Sequence, residues 1–339
     1  MKKILACILA ILLLGLTACG QAGSSPETQP DTGNTQSPEG DDVMKILNIS
    51  NSHGMDSVWL LPEVLRKEQP DLKFMVAELY QSYALTEHVQ SAENGAKDYI
   101  YYTNSSSGDG EWTRAENVSI KMALQAEHWD IVMFNESSRH LGHEGYMCKG
   151  LVDWFADYIH ENLDYEPVLL YNMTWSNPTD MRLYEDTTRQ QAPSTFKSTY
   201  IEHYGFNHVN HYNKLVEMTK KYLVNHDAFD KLIYNATPIQ YAGEVLGVPQ
   251  FDEERQWELY RDYTHLSDFA RLIVAYQWYA QMFDIEELSE IGVDVIRSSL
   301  RATPREAKLG DFNVTDAYKD VILKSVNWTL KNPLTISEN

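Results

Sequence analysis

Two segments far apart in the chain carry residue types that together could cleave an ester. The first is Ser50-Asn51-Ser52-His53-Gly54-Met55-Asp56. It follows the apolar run ending at Ile49 and leads into a helical pattern near Ser57. A serine at a strand-to-helix turn lies beside outward-pointing backbone N–H groups. Those groups can hold an oxyanion, which suits a nucleophile. Alone, a serine-rich turn before a helix is more often a cap. The second segment is Asp262-Tyr263-Thr264-His265-Leu266-Ser267. An Asp three residues before a His in a loop can bring its carboxylate to the imidazole. The imidazole can then act as general base, with its tautomer fixed by the carboxylate. Such a pair also arises by chance. Together the two segments supply a nucleophile (Ser52), a base (His265) and an orienting acid (Asp262).

Those residues need a scaffold that brings both segments to one edge. Short apolar runs recur at Lys45–Ile49, Phe74–Ala77, Ile131–Phe134, Val168–Tyr171 and Leu232–Tyr234, and read as five strands. Helical spacing fills Val58–Lys67, Val118–Glu127, Leu151–Ile159 and His211–Val224. The clearest helix starts at Ser267, a good N-cap. It sets Phe269, Leu272, Ile273, Tyr276, Tyr279, Ala280 and Phe283 on one face. Strands alternating with helices predict an α/β domain with a mostly parallel sheet covered on both sides. Ligands of such sheets bind at the carboxyl ends of the strands. Thr103–Asn117 reads as a surface excursion and Tyr241–Tyr260 as a long acidic connection.

With these elements in place, the chain resembles the SGNH (GDSL-like) hydrolase superfamily, and more closely a poorly characterised bacterial branch of it. That branch's first block reads approximately I-G-N-S-F-S-x-D, matched here by Ile49 to Asp56. Leu79-Tyr80 with Leu85-Thr86-Glu87-His88 resembles the second block, and Trp129 to Ser138 the W-D-x-I-x-x-Q-Q-x-S block. Thr174-Trp175, Ala236 to Gln240 and Asp262 to Ser267 resemble T-W-A-Y, G-T-A-I-Q and D-G-x-H-L-S elements. The matches keep the family's order across residues 45 to 285. The resemblance implies a three-layer, flavodoxin-like α/β/α sandwich with a five-stranded sheet, and a serine esterase mechanism using Ser52, His265 and Asp262. It implies oxyanion donors at Asn135 and at the backbone of Ser82, and substrate contacts at His53, Asp56, His88, Trp175 and Gln240. For Asp56 a hydrogen bond to the turn is equally open, and for Trp175 core packing. Three departures stand out. Ser50 replaces the family's Gly, Gln81-Ser82-Tyr83 replaces a Gly-Gly, and Tyr263 replaces the Gly after the acid.

No cofactor or metal is expected. His203, His208 and His211 are close in sequence but lack an acidic or cysteine partner in register. His140 and His143 fall in the loop after the third strand, where a solvated loop is the simpler reading.

Composition narrows the partners. The chain has 339 residues, 28 Lys and Arg, 49 Asp and Glu, and a formal net charge of −21. Such acidity argues against nucleic acid, whose phosphates need clustered basic residues. Lys2 and Lys3 precede an apolar run, Ile4–Leu14, too short to span a bilayer. Leu16-Thr17-Ala18-Cys19 resembles the bacterial lipoprotein signal, which implies acylation of Cys19 and a lipid anchor on the outer side of the cell membrane. Residues 20–43 hold no Lys, Arg or aromatic residue and read as a flexible tether. The expected layout is a signal peptide over 1–18, acylated Cys19 and tether over 19–43, and one domain over 44–339. Losing Lys2 and Lys3 takes −21 to −23, and five tether acids leave about −18 on the domain. That charge disfavours polyanionic glycans. Of the three cysteines, Cys7 leaves with the signal and Cys148 remains unpaired. The function expected is removal of small acyl groups such as O-acetyl from carbohydrate. A non-catalytic glycan-binding lipoprotein is the alternative, and a lipase or thioesterase ranks third.

Overall fold

The computed structural model describes residues 43–137, 140–147, 150–177, 208–247, 258–262, 264–300 and 310–336. The expected signal, Cys19, the tether, Cys148, His203 and Tyr263 lie outside them, as does most of the second half of the Tyr241–Tyr260 connection.

Among the described residues the main sheet runs β4-β3-β2-β1-β5-β6-β7. Strands β1 (Val43–Ser50), β2 (Lys73–Tyr80), β5 (Ile131–Asn135), β6 (Val168–Met173) and β7 (Lys231–Tyr234) are parallel and match the five expected runs. Two more strands, β3 (Tyr99–Ser105) and β4 (Thr113–Val118), add antiparallel at one edge. The sheet therefore has seven strands rather than five, and the expected excursion at Thr103–Asn117 is largely a hairpin. Strand β4 is exposed along nearly its whole length. It pairs through its backbone and carries no alternation of apolar residues, so the period-2 signal is missing. Asn104 and Arg66 stitch the hairpin down: Asn104 Nδ2 donates to Gly110 O (2.8 Å) and Arg66 Nη2 to Ser105 O (2.7 Å).

Successive strand side chains point to opposite faces, and both faces are apolar, as a covered parallel sheet requires. Ile46, Val76, Met133, Leu170 and Ile233 join the core under α1 (Ser52–Val58), α2 (Leu61–Glu68), α9 (Asp268–Met282) and α10 (Asp316–Lys331). Leu47, Ala77, Val132, Leu169 and Leu232 join the other core, under α3 (Leu85–Asn94), α4 (Ile120–Leu124), α6 (Leu151–Glu161) and α7 (His208–Tyr222). The result is an α/β fold with a mostly parallel central sheet flanked by helices. A short helix, α5 (Glu144–Met147), lies in the loop after β5, and α8 (Ala236–Leu246) follows β7.

Helix α9 starts where expected, with Ser267 Oγ accepting the N–H of Ala270 at 3.2 Å. It is buried nearly all round, not on one face, because α1, α2, α8 and α10 all pack against it. Helix α10 was not anticipated. Its Thr315 cap and buried Val321, Ile322 and Val326 carried the signal at i, i+1 and i+5. Among the described residues no helix is long and apolar enough to cross a membrane.

Candidate active site

Strand β1 ends at Ser50, and Asn51 caps the helix that follows: its Oδ1 accepts the N–H of His53 at 3.1 Å. Asn is among the best N-caps for this reason. Ser52 is thus the first residue of α1, half-buried at the carboxyl edge of the sheet. Gly54 is required by close approach. A Cβ there would lie 2.2 Å from Ser50 Cβ and 2.4 Å from Asn135 Oδ1.

The second segment forms a tight loop closed by a bridge between Tyr260 and Leu266. Within it Asp262 Oδ1 accepts the N–H groups of Thr264 (2.9 Å) and His265 (2.8 Å). The carboxylate also receives His265 Nδ1, at 3.0 Å to Oδ1 and 2.8 Å to Oδ2. Burial alone would raise the Asp262 pKa, but the hydrogen bond and charge of His265, with Arg261 nearby, hold it down to about 2. An ionised carboxylate on Nδ1 assigns the proton to that nitrogen and makes Nε2 the basic one. The imidazole is turned to the surface side, 21% exposed, and does not point into the core.

His53 brings the two segments together. Its ring stacks on His265 with centroids 5.7 Å apart, and tilts against Trp175 at 5.2 Å. Its Nε2 lies 2.8 Å from Thr264 Oγ1, and that hydroxyl donates to Asn177 Oδ1 at 3.0 Å. The hydroxyl has one proton, so His53 Nε2–H is the donor to it. The residue after Ser52 therefore packs directly on the base. Among the described residues no hydrogen bond joins Ser52 to His265. Such bonds are commonly long without substrate and tighten in the complex.

Several expected contacts need correction. Trp175 is fully buried and its Nε1 donates to Thr264 O at 2.9 Å, so it supports the loop and offers no face to a sugar. His88 is buried in the core, with Nδ1 2.8 Å from Tyr99 Oη, and burial pushes its pKa down to about 3. It is a neutral packing residue. Asp56 is 1% exposed and wholly engaged by Arg261, Arg271 and the N–H of Leu266, so it cannot touch substrate. Asn135 is fully buried and spends both Nδ2 protons, on Asn51 Oδ1 (3.1 Å) and Glu136 O (2.9 Å). It braces the cap beside Ser52 instead of facing an oxyanion. The N–H of Ser82 is taken by Gln81 Oε1 at 2.9 Å. Gln240 is half-buried on α8, the helix that follows β7. His211 is a core residue whose Nδ1 accepts the N–H of Asn177 at 3.2 Å. His140 stacks on Tyr146 at 3.6 Å, and His143 sits edge-on to the same ring. Among the described residues no group of His, Cys, Asp or Glu is placed to hold a metal ion.

One buried acid escaped the sequence reading. Glu78 on β2 lies beneath the turn, accepting from Asn48 Nδ2 at 2.6 Å and meeting Ser50 Oγ at 2.5 Å. Ser50 Oγ also lies 3.0 Å from Asn51 O. One hydroxyl proton cannot serve both acceptors. A protonated Glu78 resolves the pattern by donating to Ser50, which donates onward to Asn51 O. Burial accordingly raises the Glu78 pKa to about 8, outweighing the hydrogen bonds that Ser50 and Asn48 would donate to the ionised carboxylate. The folded chain then keeps a proton that the unfolded chain releases near 4.5, so stability falls as pH rises from there towards 8. Glu78→Gln keeps the neutral shape and is expected to remove this slope, a difference of a few kcal/mol between pH 5 and 8. Urea unfolding of both proteins at the two pH values checks it. Parallel pH dependences would contradict the assignment.

A family model described as Domain of unknown function (DUF4886) matches residues 45–298. Among solved structures, a DUF4886 family protein from Bacteroides uniformis aligns with 88% of this chain and 98% of its own, at 22% identity and a TM-score of 0.66. That likeness is one of fold. A candidate SGNH hydrolase from Slackia heliotrinireducens aligns with 71% of this chain and 99% of its own, at 14% identity and a TM-score of 0.40. No curated protein matches the chain.

Proposed function

The chain belongs to the DUF4886 family, and we propose that it is a serine hydrolase of the SGNH type that cleaves small acyl esters. The observation that carries this reading is the Asp262–His265 pair, with His265 stacked on the residue next to Ser52. In the reaction Ser52 Oγ attacks the ester carbonyl while His265 Nε2 takes its proton. In this reading the N–H of Ser52, the first residue of α1, stabilises the oxyanion. Collapse releases the alcohol, which takes the proton from His265. Water, activated by the same imidazole, then frees the acid and restores Ser52. Asp262 stays ionised throughout and stabilises the imidazolium.

The finer reading is removal of O-acetyl groups from carbohydrate by an enzyme held outside the cell by a lipid on Cys19. Its support is the lipoprotein-like leader, the tether, and a domain charge of about −18 that suits neutral glycans. Acetate release from acetylated neutral oligosaccharides, compared with aryl esters of lengthening acyl chain, tests it. Release of acetate, with aryl turnover falling as the acyl chain grows, is expected. Preference for long acyl chains would overturn it.

A second reading has one specific observation in its favour. Both donors that the family resemblance suggested, Asn135 and the N–H of Ser82, are spent on internal bonds. Losing one oxyanion donor costs roughly 10²–10³ in rate. A glycan-binding protein on this scaffold would bind such oligosaccharides without turnover.

A further inference from the structure

Asp56 lies four residues after Ser52 on α1, one helical turn on, so the two side chains share a side of the helix. Its Oδ1 receives Arg261 Nη2 at 3.0 Å and Arg271 Nε at 2.9 Å. Its Oδ2 receives Arg261 Nη1 at 2.9 Å and the N–H of Leu266 at 3.0 Å. Arg261 also donates to the carbonyl of Leu266. The residue after His265 is therefore held at both its backbone groups, one by Asp56 and one by Arg261. Arg271 belongs to α9, where its Nη1 also meets Asp268 at 3.6 Å. Asp56 and Arg271 are each 1% exposed, while Arg261 keeps one quarter of its side chain in solvent, at 26%.

We propose that Asp56 is a positioning residue that ties the helix bearing Ser52 to the loop bearing His265, through Arg261, Arg271 and the backbone of Leu266. Ser52 and His265 come from segments far apart in the chain, one at the start of α1 and one just before α9. One carboxylate, one turn from the nucleophile and one residue from the base, sets their separation. Small errors in such a separation cost large factors in rate. The two arginines are both needed in this role. A single guanidinium would fasten the loop or the helix, whereas Arg261 fixes the loop and Arg271 fixes α9, the helix that the loop enters.

The proposal rests on the serine hydrolase reading, and its test separates the two. Wild type, Asp56→Asn and Arg261→Gln are compared after circular dichroism and melting confirm that each is folded. Arg261→Gln leaves Asp56 paired with Arg271, so it provides a folded variant if Asp56→Asn does not. The probe is a fluorophosphonate, with an aryl acetate for kcat and KM, and amide hydrogen exchange over 259–267. Expected are a tenfold or larger drop in labelling rate and kcat, a KM within twofold of wild type, and faster exchange at Leu266. Folded variants that label at the wild-type rate overturn the clamp and leave the hydrolase reading standing. A wild type that does not label overturns the hydrolase reading, and the positioning role with it.

Discussion

Replacing Ser52 with alanine is expected to lower kcat/KM on an aryl acetate by a factor on the order of 10⁴ to 10⁶. The expectation follows from what the hydroxyl alone supplies. Ser52 heads α1 at the carboxyl edge of the sheet, and His53 behind it packs on the base. Alanine fits the first helical position, so the Asn51 cap and the Asp262–His265 bonds remain and the protein keeps its fold. His265→Ala removes the base and is expected to cost about as much. The double variant is expected to be no worse than either single one, because nucleophile and base act as a unit. Assays of the three variants beside wild type check this. Additive losses, or a Ser52→Ala protein with wild-type turnover, would mean that another group does the chemistry.

The largest expected effect on stability comes from Asp56→Ala. Its carboxylate is buried and its partners include the fully buried Arg271. Burial alone would raise its pKa, yet the charges of Arg261 and Arg271 hold it far below the usual carboxylate range. Removing one member of a buried pair leaves an uncompensated charge and costs roughly 3–5 kcal/mol. Most of that cost comes from the buried Arg271, which keeps Asp268 at 3.6 Å but loses its close carboxylate partner, and not from the lost attraction. Asp56→Leu combined with Arg271→Met is therefore expected to recover part of the loss, since a matched apolar replacement strands less charge. Urea unfolding with an unchanged m-value is the measurement. An Asp56→Ala protein within about 0.5 kcal/mol of wild type, the usual range of a surface substitution, would show that the cluster is solvated.

Much of this scaffold was legible as alternating apolar runs and helical spacing. The five parallel strands announce themselves because both faces of each are buried, so Ile46-Leu47 or Leu169-Leu170 read as continuous apolar pairs. The edge hairpin did not, since β4 is held by backbone bonds that any polar sequence can make. The Asp262–His265 pair was legible because three residues of spacing determine it locally. What sequence could not show is which polar groups are consumed internally. Asn135 and Asp56 have the residue types of a site, but their partners Asn51, Arg261 and Arg271 are set by tertiary approach, whereas the N–H of Ser82 is taken by its own neighbour Gln81. Trp175 left both ligand contact and core packing open for a similar reason. An indole after a strand can face a ligand or a loop carbonyl, and here it faces Thr264. Glu78 had no signal beyond an acid inside an apolar strand, a position where a lone carboxylate is costly.

The most direct measurement is the site of covalent labelling. The folded protein is treated with a fluorophosphonate and the modified peptide is located by mass spectrometry. The account predicts one adduct, on Ser52, that is lost in His265→Ala and formed more slowly in Asp262→Asn. No adduct, or an adduct on another serine that persists in Ser52→Ala, would contradict it.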